Sequence, residues 1–341
     1  MNKKLFLGTA LIAADCAIHF AFAQTNPASP MMKAVVVNQY GGPEVLKYQD
    51  APRPEPAEDQ ILVRVMAAAV NPVDSYVRQG RFGKSNGPKI IGSDIAGVVE
   101  KTGANAKKFK PGDAVYCYLS VTRGGAYAEY AIATESETAL KPKNISFEEA
   151  AAVPLAGTTA WQALIDSGKI AQGQTVLIHG GSGGVGSFAI AIAKARGAKV
   201  IATASAEHQP TLKQLGVDQA IDYTKTKFED VVKDVDLVLN CARADALARS
   251  YGVVKKGGII VSITDEPDQS ECAKRGLSCS RMGAHPDSNA LQELTKLIEA
   301  GKMKPIVSQT FPLADASKAH QQIETRHTVG KIVLKIADEK K

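Results

Sequence analysis

Five of the seven residues from Gly180 to Gly186 are glycines, directly before an apolar segment with helical spacing. Such a loop suits a phosphate group, because bare backbone amides at the start of a helix approach an anion closely and the helix dipole favours negative charge. The pattern G-x-G-x-x-G is formed by Gly181, Ser182, Gly183, Gly184, Val185 and Gly186. In this pattern the first glycine allows a tight turn, the second admits a pyrophosphate and the third lets the helix pack on its strand. The loop therefore predicts a dinucleotide site.

The end of the following strand indicates which dinucleotide binds. A site for NAD places an acidic residue there to hold the ribose hydroxyls. Ala204 and Ser205 stand at this position, and an acid in their place would repel a 2′-phosphate. Ser205 can donate a hydrogen bond to such a phosphate, while Glu207 follows two residues later and no arginine lies nearby. These residues favour NADP(H) over NAD(H) and leave the choice open.

The elements that must position this loop follow from the apolar patterns. From Gln174 onward, TVLIH, KVIATA, DQAIDY, VDLVLNCA and GGIIVSI are predicted strands, separated by helical segments. Strands that are apolar on both faces and alternate with helices indicate an α/β fold with a doubly wound parallel sheet. We predict this unit over residues 151–285.

A second unit flanks the first in sequence. Residues 32–150 contain short runs of Val, Ile and Tyr that Gly, Pro or Asp interrupts about every ten residues, which predicts a β-barrel-like unit. Ser146 and Glu149 have the spacing of a capping box, and LAGTTAWQALIDSG continues as a helix that ends at Gly168. Residues 286–341 return a helix and the strand GKIVLKI to this unit; the apolar face of that helix is predicted to carry Leu291, Leu294, Leu297 and Ile298.

The first residues have the order of a secretory signal. Two lysines precede the apolar run Leu5–Ala14, and Ala21-Phe22-Ala23 forms a cleavage site, so residues 1–23 are a predicted signal peptide and 24–31 a linker. The apolar run is too short and too polar to span a membrane. The signal predicts a periplasmic or secreted protein. Translation from Met31 or Met32 is the alternative, and it would leave the protein in the cytoplasm.

Composition excludes some functions. The chain has 341 residues, 45% of them hydrophobic and 22% charged, as expected for two ordinary folded domains. The net charge of +6 is scattered without a basic run, so nucleic acid is not an expected partner. The cysteines form no C-x-x-C motif, so no metal site is predicted. Cys272 and Cys279 are either a disulfide across AKRGLS or two unrelated thiols.

Six motifs in this order resemble the medium-chain dehydrogenase/reductase superfamily, in its zinc-independent quinone oxidoreductase branch. They are MKAVVVNQYGGPEVL, NPVDSYVRQG, AAVPLAGTTAWQAL, VLIHGGSGGVGS, LKQLGVDQAIDY and GKIVL. The resemblance extends from Met32 to Ile336. It implies a GroES-like catalytic domain split around a Rossmann domain, NADPH in the cleft between them and a homodimer. It also implies hydride transfer to a quinone or an α,β-unsaturated carbonyl compound.

The resemblance also bears on metal. Zinc-dependent members carry a cysteine where Asn71 stands and Gly-His-Glu where Gly92-Ser93-Asp94 stands. Asn71 and Ser93 are poor zinc ligands. The lobe of four closely spaced cysteines is also missing. Metal-free hydride transfer is therefore expected.

Individual site residues are implied by the same resemblance. Cofactor contacts are implied, besides the glycine loop, for Thr158, Ser205, Tyr223, Cys241 and Lys331. Gln209 stands where a lysine is often found between Ser205 and Tyr223, which weakens the NADP(H) assignment. Asn71 and Tyr76 are the weak catalytic candidates; no proton donor is identified.

Each of these residues has a purely structural alternative. Tyr223 would cap a strand, Tyr76 would be a packed aromatic residue, and Thr158 and Asn71 would only form local hydrogen bonds. Asp74 is expected to fix its own loop, and His179 to be a hydrogen-bonded structural histidine. GGIIVSI is expected to form an exposed sheet edge that pairs with a second copy.

Two other functions stay open. The chain would be a non-catalytic NADPH-binding protein, or an exported binding protein that lost its cofactor. The intact glycine loop argues against the second, while the export signal favours it, because NADPH is not expected outside the cytoplasm. No twin arginine indicates export of a folded, cofactor-loaded protein.

Overall fold

The computed structural model describes residues 30–83, 87–243 and 245–338. The predicted signal peptide (1–23) and most of the predicted linker (24–31) lie outside the described residues. Met31 is already the first residue of a strand, one residue before the predicted start of the folded unit.

The described residues form sixteen strands and ten α-helices. The strands are β1 (Met31–Val37), β2 (Leu46–Pro52), β3 (Gln60–Val70), β4 (Lys89–Ile90), β5 (Asp94–Thr102), β6 (Ala114–Tyr118), β7 (Tyr130–Thr134), β8 (Thr138–Leu140), β9 (Thr175–His179), β10 (Lys199–Ala204), β11 (Gln219–Asp222), β12 (Val235–Asn240), β13 (Val254–Ser262), β14 (Ser278–Arg281), β15 (Val307–Pro312) and β16 (Lys331–Lys335). The helices are α1 (Pro72–Arg78), α2 (Phe147–Ala151), α3 (Pro154–Trp161), α4 (Gly184–Ala195), α5 (Gln209–Gln214), α6 (Phe228–Val231), α7 (Ala246–Ser250), α8 (Gln269–Arg275), α9 (Ser288–Glu299) and α10 (Ala316–Glu324).

The predicted parallel sheet is present. Its six strands have the order β11-β10-β9-β12-β13-β14, and every pair is parallel. The central strand β9 is fully buried at Val176, Leu177 and Ile178, as both-sided burial by helices requires. The reversal of strand order on either side of β9 brings the ends of β9, β10 and β12 together at one edge, where ligands of such sheets bind.

The prediction that GGIIVSI forms an exposed sheet edge is wrong. The strand β13 that contains it pairs with β12 on one side and with β14 on the other. The sequence analysis did not predict β14, because its residues, SCSR, have little apolar character. The edge strand on this side of the described sheet is therefore β14, and β11 forms the other edge.

The other strands form two further sheets. A seven-stranded sheet contains the path β15-β16-β3-β5-β6-β8, with β7 paired to β3, and a three-stranded sheet has the order β2-β1-β4. The predicted closing strand, β16, lies antiparallel to β3, with Ile332 opposite Val70. The C-terminal chain therefore returns to the first unit as expected, while the domain limits at residues 150 and 285 stay predictions.

Helices connect the two units. The predicted capping box is formed: Ser146 Oγ accepts from the Glu149 amide at 3.1 Å, and the Glu149 carboxylate accepts from the Ser146 amide at 3.0 Å. The next predicted helix ends at Gly168 as expected, but only α3 is α-helical, and its last turns, Gln162–Ser167, are a π-helix. The apolar face of α9 is buried at Leu291, Leu294 and Ile298 and half-buried at Leu297.

The cysteine question is resolved by α8 and β14. Cys272 on α8 and Cys279 on β14 form a disulfide, while Cys117 and Cys241 are free thiols. None of the helices in the described part of the chain has both the length and the apolar character needed to cross a bilayer.

Candidate cofactor and active site

The first glycine of the motif serves both the turn and the packing of the loop. The backbone turns at Gly180, which has a φ of 71°, one residue before the motif. A Cβ on Gly181 would lie 2.9 Å from both the Ala202 and the Leu212 side chain, and the Gly181 amide donates to Thr203 O at 2.9 Å. The Gly183 amide donates to the Gly180 carbonyl at 3.1 Å, so Gly181 lies within the tight turn as predicted, and its lack of a side chain also lets the loop lie against β10.

The other two glycines of the motif have the expected surroundings. A Cβ on Gly186 would overlap the Gly180 carbonyl oxygen and lie 2.8 Å from Gly181 Cα, so α4 packs directly on the loop. At Gly183, which caps α4, the nearest atom to such a Cβ is the Gly180 carbonyl oxygen at 3.4 Å. The backbone there is accessible at the start of a twelve-residue helix, which is the geometry that a pyrophosphate needs.

The returning C-terminal segment lies against the same loop. The Gly330 amide donates to Ser182 O at 2.9 Å. The Lys331 side chain passes over the loop, because a Cβ on Gly184 would lie 2.9 Å from Lys331 Cδ. Gly330 has a φ of 56° and no room for a side chain beside Ile306. The glycine loop is thus held between the two units of the chain.

Lys331 ends in a buried polar cluster. Its ammonium group donates to Asn71 Oδ1, to Asp94 Oδ2 at 3.3 Å and to the Val70 carbonyl at 3.4 Å. Asn71 Nδ2 also donates to Asp94 Oδ2 at 2.9 Å. Burial raises the pKa of Asp94, and the Lys331 ammonium opposes that rise. Lys331, Asn71 and Asp94 thus hydrogen-bond with one another.

Asp74 connects this cluster to a buried chain of donors that the sequence analysis did not find. Its carboxylate accepts from the Asn71 amide at 2.8 Å and from the Tyr127 hydroxyl at 2.9 Å. His320 Nε2 is 3.1 Å from the Tyr127 hydroxyl, and Arg78 Nη1 donates to His320 Nδ1 at 2.9 Å. The arginine donor fixes the Nε2–H tautomer of His320, so every proton in the chain points toward Asp74.

The charges of this chain are set by burial. Burial raises the pKa of Asp74 to about 7 and lowers the pKa of His320 to about 3. Arg78 is fully buried and pairs with Glu324 at 2.6 Å. Asp74 caps α1 through the Asn71 amide, so its expected role in fixing its own loop is confirmed. Among the partners of Asp74 in this chain, only Arg78 has a spacing that the sequence could have revealed, because it follows Asp74 by four residues. That spacing does not predict the ion pair of Arg78 with Glu324.

Among the buried side-chain atoms without a hydrogen-bond partner, one lies within α3 and another at the end of β12. Thr158 is fully buried within α3, and its Oγ1 is unpartnered. At the end of β12, Asn240 Nδ2 donates to Ser262 and Thr264, but Asn240 Oδ1 is unpartnered. Buried polar atoms are normally paired, so both are fit to receive a polar ligand. The sequence analysis selected Thr158 but not Asn240.

The predicted phosphate end of the site lies where β10 and β11 finish. Ser205 Oγ is 3.1 Å from His208 Nδ1, and Tyr223 is largely exposed while its amide donates to Ala204 O. Gln209, which replaces the expected lysine, donates to the carbonyls of Ala204 and Ile221 and so joins the two strand ends. Gln209 is thus committed to the sheet and Tyr223 is exposed, while the Ser205 hydroxyl contacts His208 and lies 3.5 Å from Glu207 Oε1.

The remaining predicted residues lie around the loop. Cys241 lies beside Gly180, and burial raises the pKa of its thiol to about 12. His179 is 3.1 Å from Thr203 Oγ1 and 2.9 Å from Ser250 Oγ, and burial lowers its pKa to about 4, so the structural assignment of His179 is confirmed. Tyr76 is half-buried on α1, and its hydroxyl accepts from Arg243 at 2.6 Å.

A parallel sheet with a glycine loop, against which a strand of a mixed sheet returns, defines a two-part dinucleotide-binding protein. The family described as an alcohol dehydrogenase GroES-like domain matches residues 57–143, and the family described as a zinc-binding dehydrogenase matches residues 215–334. The chain is 40% identical to an NADPH-dependent alkenal/one oxidoreductase of Arabidopsis thaliana, over 98% of this chain and 86% of that protein.

Solved structures of similar proteins agree with these sequence matches. A quinone oxidoreductase from Coxiella burnetii is 34% identical with a TM-score of 0.84, covering 90% of this chain and 100% of that one. An Escherichia coli quinone oxidoreductase complexed with NADPH is 30% identical with a TM-score of 0.81, covering 89% and 99%. The chain belongs to the medium-chain dehydrogenase/reductase superfamily, in its quinone oxidoreductase-like branch.

Proposed function

We propose that this chain is an NADPH-dependent oxidoreductase that transfers a hydride to a quinone or to an α,β-unsaturated carbonyl compound. The observation that carries the proposal is the glycine loop, whose open backbone at Gly183 begins a long helix and faces the returning segment at Gly330. The relatives named above support NADPH as the cofactor and a quinone or an alkenal or alkenone as the acceptor. When bound, NADPH supplies the hydride.

The residues of this chain bind and orient the reactants. The proposed cofactor contacts are Thr158, Gly181, Ser182, Gly183, Gly184, Val185, Gly186, Ser205, Tyr223, Cys241 and Lys331. Amides at the start of α4 hold the pyrophosphate, and the unpaired Thr158 hydroxyl binds the carboxamide of the nicotinamide. Lys331 borders the loop through its aliphatic stem, since its ammonium group is already held by Asn71 and Asp94.

The chain offers few groups that could move a proton. Asp74 is locked between the Asn71 amide and Tyr127, and His179 and His320 are neutral and buried. Asn71 and Tyr76 stay the catalytic candidates: Asn71 as an oriented amide and Tyr76 as the more accessible hydroxyl. We propose that solvent supplies the proton that completes the reduction.

We further propose that the reaction needs no metal. At the positions where zinc-dependent members carry ligands, Asn71 and Asp94 surround a lysine ammonium group. A second cation placed there would meet the positive charge of Lys331 and side chains whose lone pairs are already used. In the described ranges no cluster of three or more His, Cys, Asp or Glu residues could hold a metal ion.

Assembly and location are further proposals. We propose a homodimer in which the short edge strand β14 is the accessible edge of the parallel sheet. We also propose export by the signal at residues 1–23, which the Cys272–Cys279 disulfide supports because such bonds persist in oxidising compartments. Light scattering tests the first, and the N-terminal sequence of protein recovered from cell fractions tests the second.

The function is tested on the chain without its first 23 residues. NADPH and NADH are titrated separately by fluorescence, and a quinone and an alkenal are then added. We expect tight NADPH binding, weaker NADH binding and oxidation of NADPH by either acceptor. NADPH binding without oxidation by any acceptor would favour the non-catalytic alternative. Failure to bind either nucleotide would favour the exported binding protein.

A further inference from the structure

Tyr76 joins the two units of the chain at the candidate site. It lies on α1, which starts next to Asn71, so its Cα is about 7–8 Å further along the helix axis. Arg243 belongs to the other unit and follows β12, two residues after Cys241, which contacts the glycine loop. Arg243 Nη2 donates to the Tyr76 hydroxyl at 2.6 Å. The contact therefore crosses the boundary between the nucleotide side and the catalytic side.

Two guanidinium groups stand beside the Tyr76 ring. The Arg81 guanidinium is 4.8 Å from the ring centroid and that of Arg243 is 6.0 Å away. Stacking on an aromatic ring restricts a guanidinium group while leaving its edge free for hydrogen bonds. The arrangement concentrates positive charge around one half-buried phenol.

The positive charge of these arginines is poorly balanced. Arg243 has Asp265 as its nearest acidic partner, at 4.0 Å, and both side chains are more than 40% exposed, so this pair contributes little. Within the described residues Arg81 forms no ion pair within 4.0 Å. A guanidinium group has five N–H donors, and the strong contact that Arg243 makes is to a neutral phenol. Both arginines therefore have donors left for an anion.

We propose that Arg243, with Arg81 and Tyr76, forms a subsite for a carboxylate or a similar anionic group on the acceptor. This inference rests on the proposed function. A carboxylate accepts hydrogen bonds more strongly than a phenol does, so it would take the Arg243 donors in a bidentate pair. The Tyr76 hydroxyl, released from Arg243, would then donate to the same anion. The preferred acceptors are enones or quinones that carry an acidic group.

The phosphates of NADPH are the other source of such an anion. The predicted pyrophosphate site is the glycine loop and the predicted 2′-phosphate site is at Ser205. Neither site includes Tyr76 or Arg243. A cofactor role would make Arg243 substitutions weaken NADPH binding. An acceptor role would make them change the preference between acceptors at unchanged NADPH affinity.

The test compares (E)-6-oxo-4-heptenoate with its methyl ester, which has the same enone, insulated from the carboxyl group by two methylene groups, and no charge. For the wild-type protein we expect kcat/KM to be at least tenfold higher for the acid. Arg243→Met should abolish that preference by lowering kcat/KM for the acid at least tenfold more than for the ester. Arg243→Lys should keep an intermediate preference, since a lysine retains the charge but not the bidentate geometry. Arg275→Met, an exposed arginine on α8, is the matched control and should preserve the preference.

The outcomes separate the subsite from the function. Equal kcat/KM values for acid and ester in the wild type, or equal losses for both in Arg243→Met, would overturn the subsite while leaving the reductase intact. A raised NADPH Kd in Arg243→Met would also overturn it, in favour of a cofactor phosphate. If neither compound is reduced and neither a quinone nor an alkenal is reduced, the proposed function fails. Acid binding to the NADPH-loaded protein, measured by calorimetry, still decides the subsite: tighter binding of the acid than of the ester supports it, and equal binding refutes it.

Discussion

The two sides of the candidate site treat buried polar groups in opposite ways. On the catalytic side, Lys331, Asn71, Asp94 and Asp74 use one another's donors and acceptors. On the nucleotide side, the hydroxyl of Thr158 and the Oδ1 atom of Asn240 are buried without a partner, and the backbone at Gly183 is half-buried at the start of α4. Unpaired buried polar atoms cost free energy, so a polar ligand that pairs with these two atoms would stabilise the nucleotide side.

This difference assigns different roles to the two sides. A closed cluster holds its side chains in one arrangement before any reactant arrives, which is what orientation of an acceptor requires. A set of donors and acceptors without protein partners is complementary to a polar ligand. Substitutions on the catalytic side should therefore act mainly on stability, and substitutions on the nucleotide side mainly on affinity.

The largest effect is expected from Lys331→Met. It leaves the carboxylate of Asp94 buried without its cation, which destabilises the fold by about 3–5 kcal/mol. Urea denaturation of the purified protein measures the loss. The double variant Lys331→Met/Asp94→Asn should regain part of it, because the uncompensated charge is gone. Equal losses in the single and double variants would show that the ion pair does not hold the cluster together.

Two glycine substitutions should separate packing from binding. Gly186→Ala places a methyl group against the backbone of Gly180 and should lower stability by about 1–3 kcal/mol, with loss of NADPH binding. Gly183→Ala has room for its methyl group, so the melting temperature should hardly change while NADPH affinity falls. Thermal unfolding and NADPH titration of both variants provide the comparison. A Gly183→Ala variant with wild-type affinity would place the pyrophosphate elsewhere.

Asp74, on the catalytic side, should make the stability of the protein depend on pH. Burial raises its pKa to about 7, whereas the unfolded carboxyl group releases its proton near pH 4. Between these values the native state holds one proton more, so stability falls as pH rises, by at most about 1.4 kcal/mol per pH unit, and the effect ends above pH 7. Asp74→Asn should lack this component. The unfolding free energies of the wild-type protein and of Asp74→Asn at pH 5 and pH 8 test this prediction. An identical pH dependence in the two proteins would contradict the raised pKa of Asp74.

The smallest effect is expected from Thr158→Val. The substitution removes a hydroxyl group without a partner, so stability should be equal or slightly higher. NADPH should bind about tenfold more weakly, the loss of roughly one hydrogen bond. Thr159→Val is the matched control on the same helix, because Thr159 Oγ1 already donates to Leu155 O at 2.7 Å. That variant should lose a little stability and no affinity, and the reverse pattern would remove Thr158 from the site.

Local patterns in the sequence were enough for much of the fold. Strands β9 to β13 and the helices α4 and α5 follow from apolar runs and breaks a few residues long, and the capping box at Ser146 needs only Glu149 three residues later. The glycine loop is equally local, since its spacing lies within one turn between a strand and a helix. Strand β14 was missed because a short polar edge strand has no apolar pattern of its own.

The catalytic side was decided by tertiary structure. Lys331 lies 260 residues from Asn71 and 237 from Asp94 in the chain, and His320 lies 193 from Tyr127. No periodicity or capping rule relates such distant residues; they meet because β16 returns to β3 and α10 packs near α1. The sequence by itself therefore determined the glycine loop between its strand and its helix, since these are built from one continuous segment. The partners of each buried charge depended on the folded packing, because only a water-free interior makes such pairing necessary.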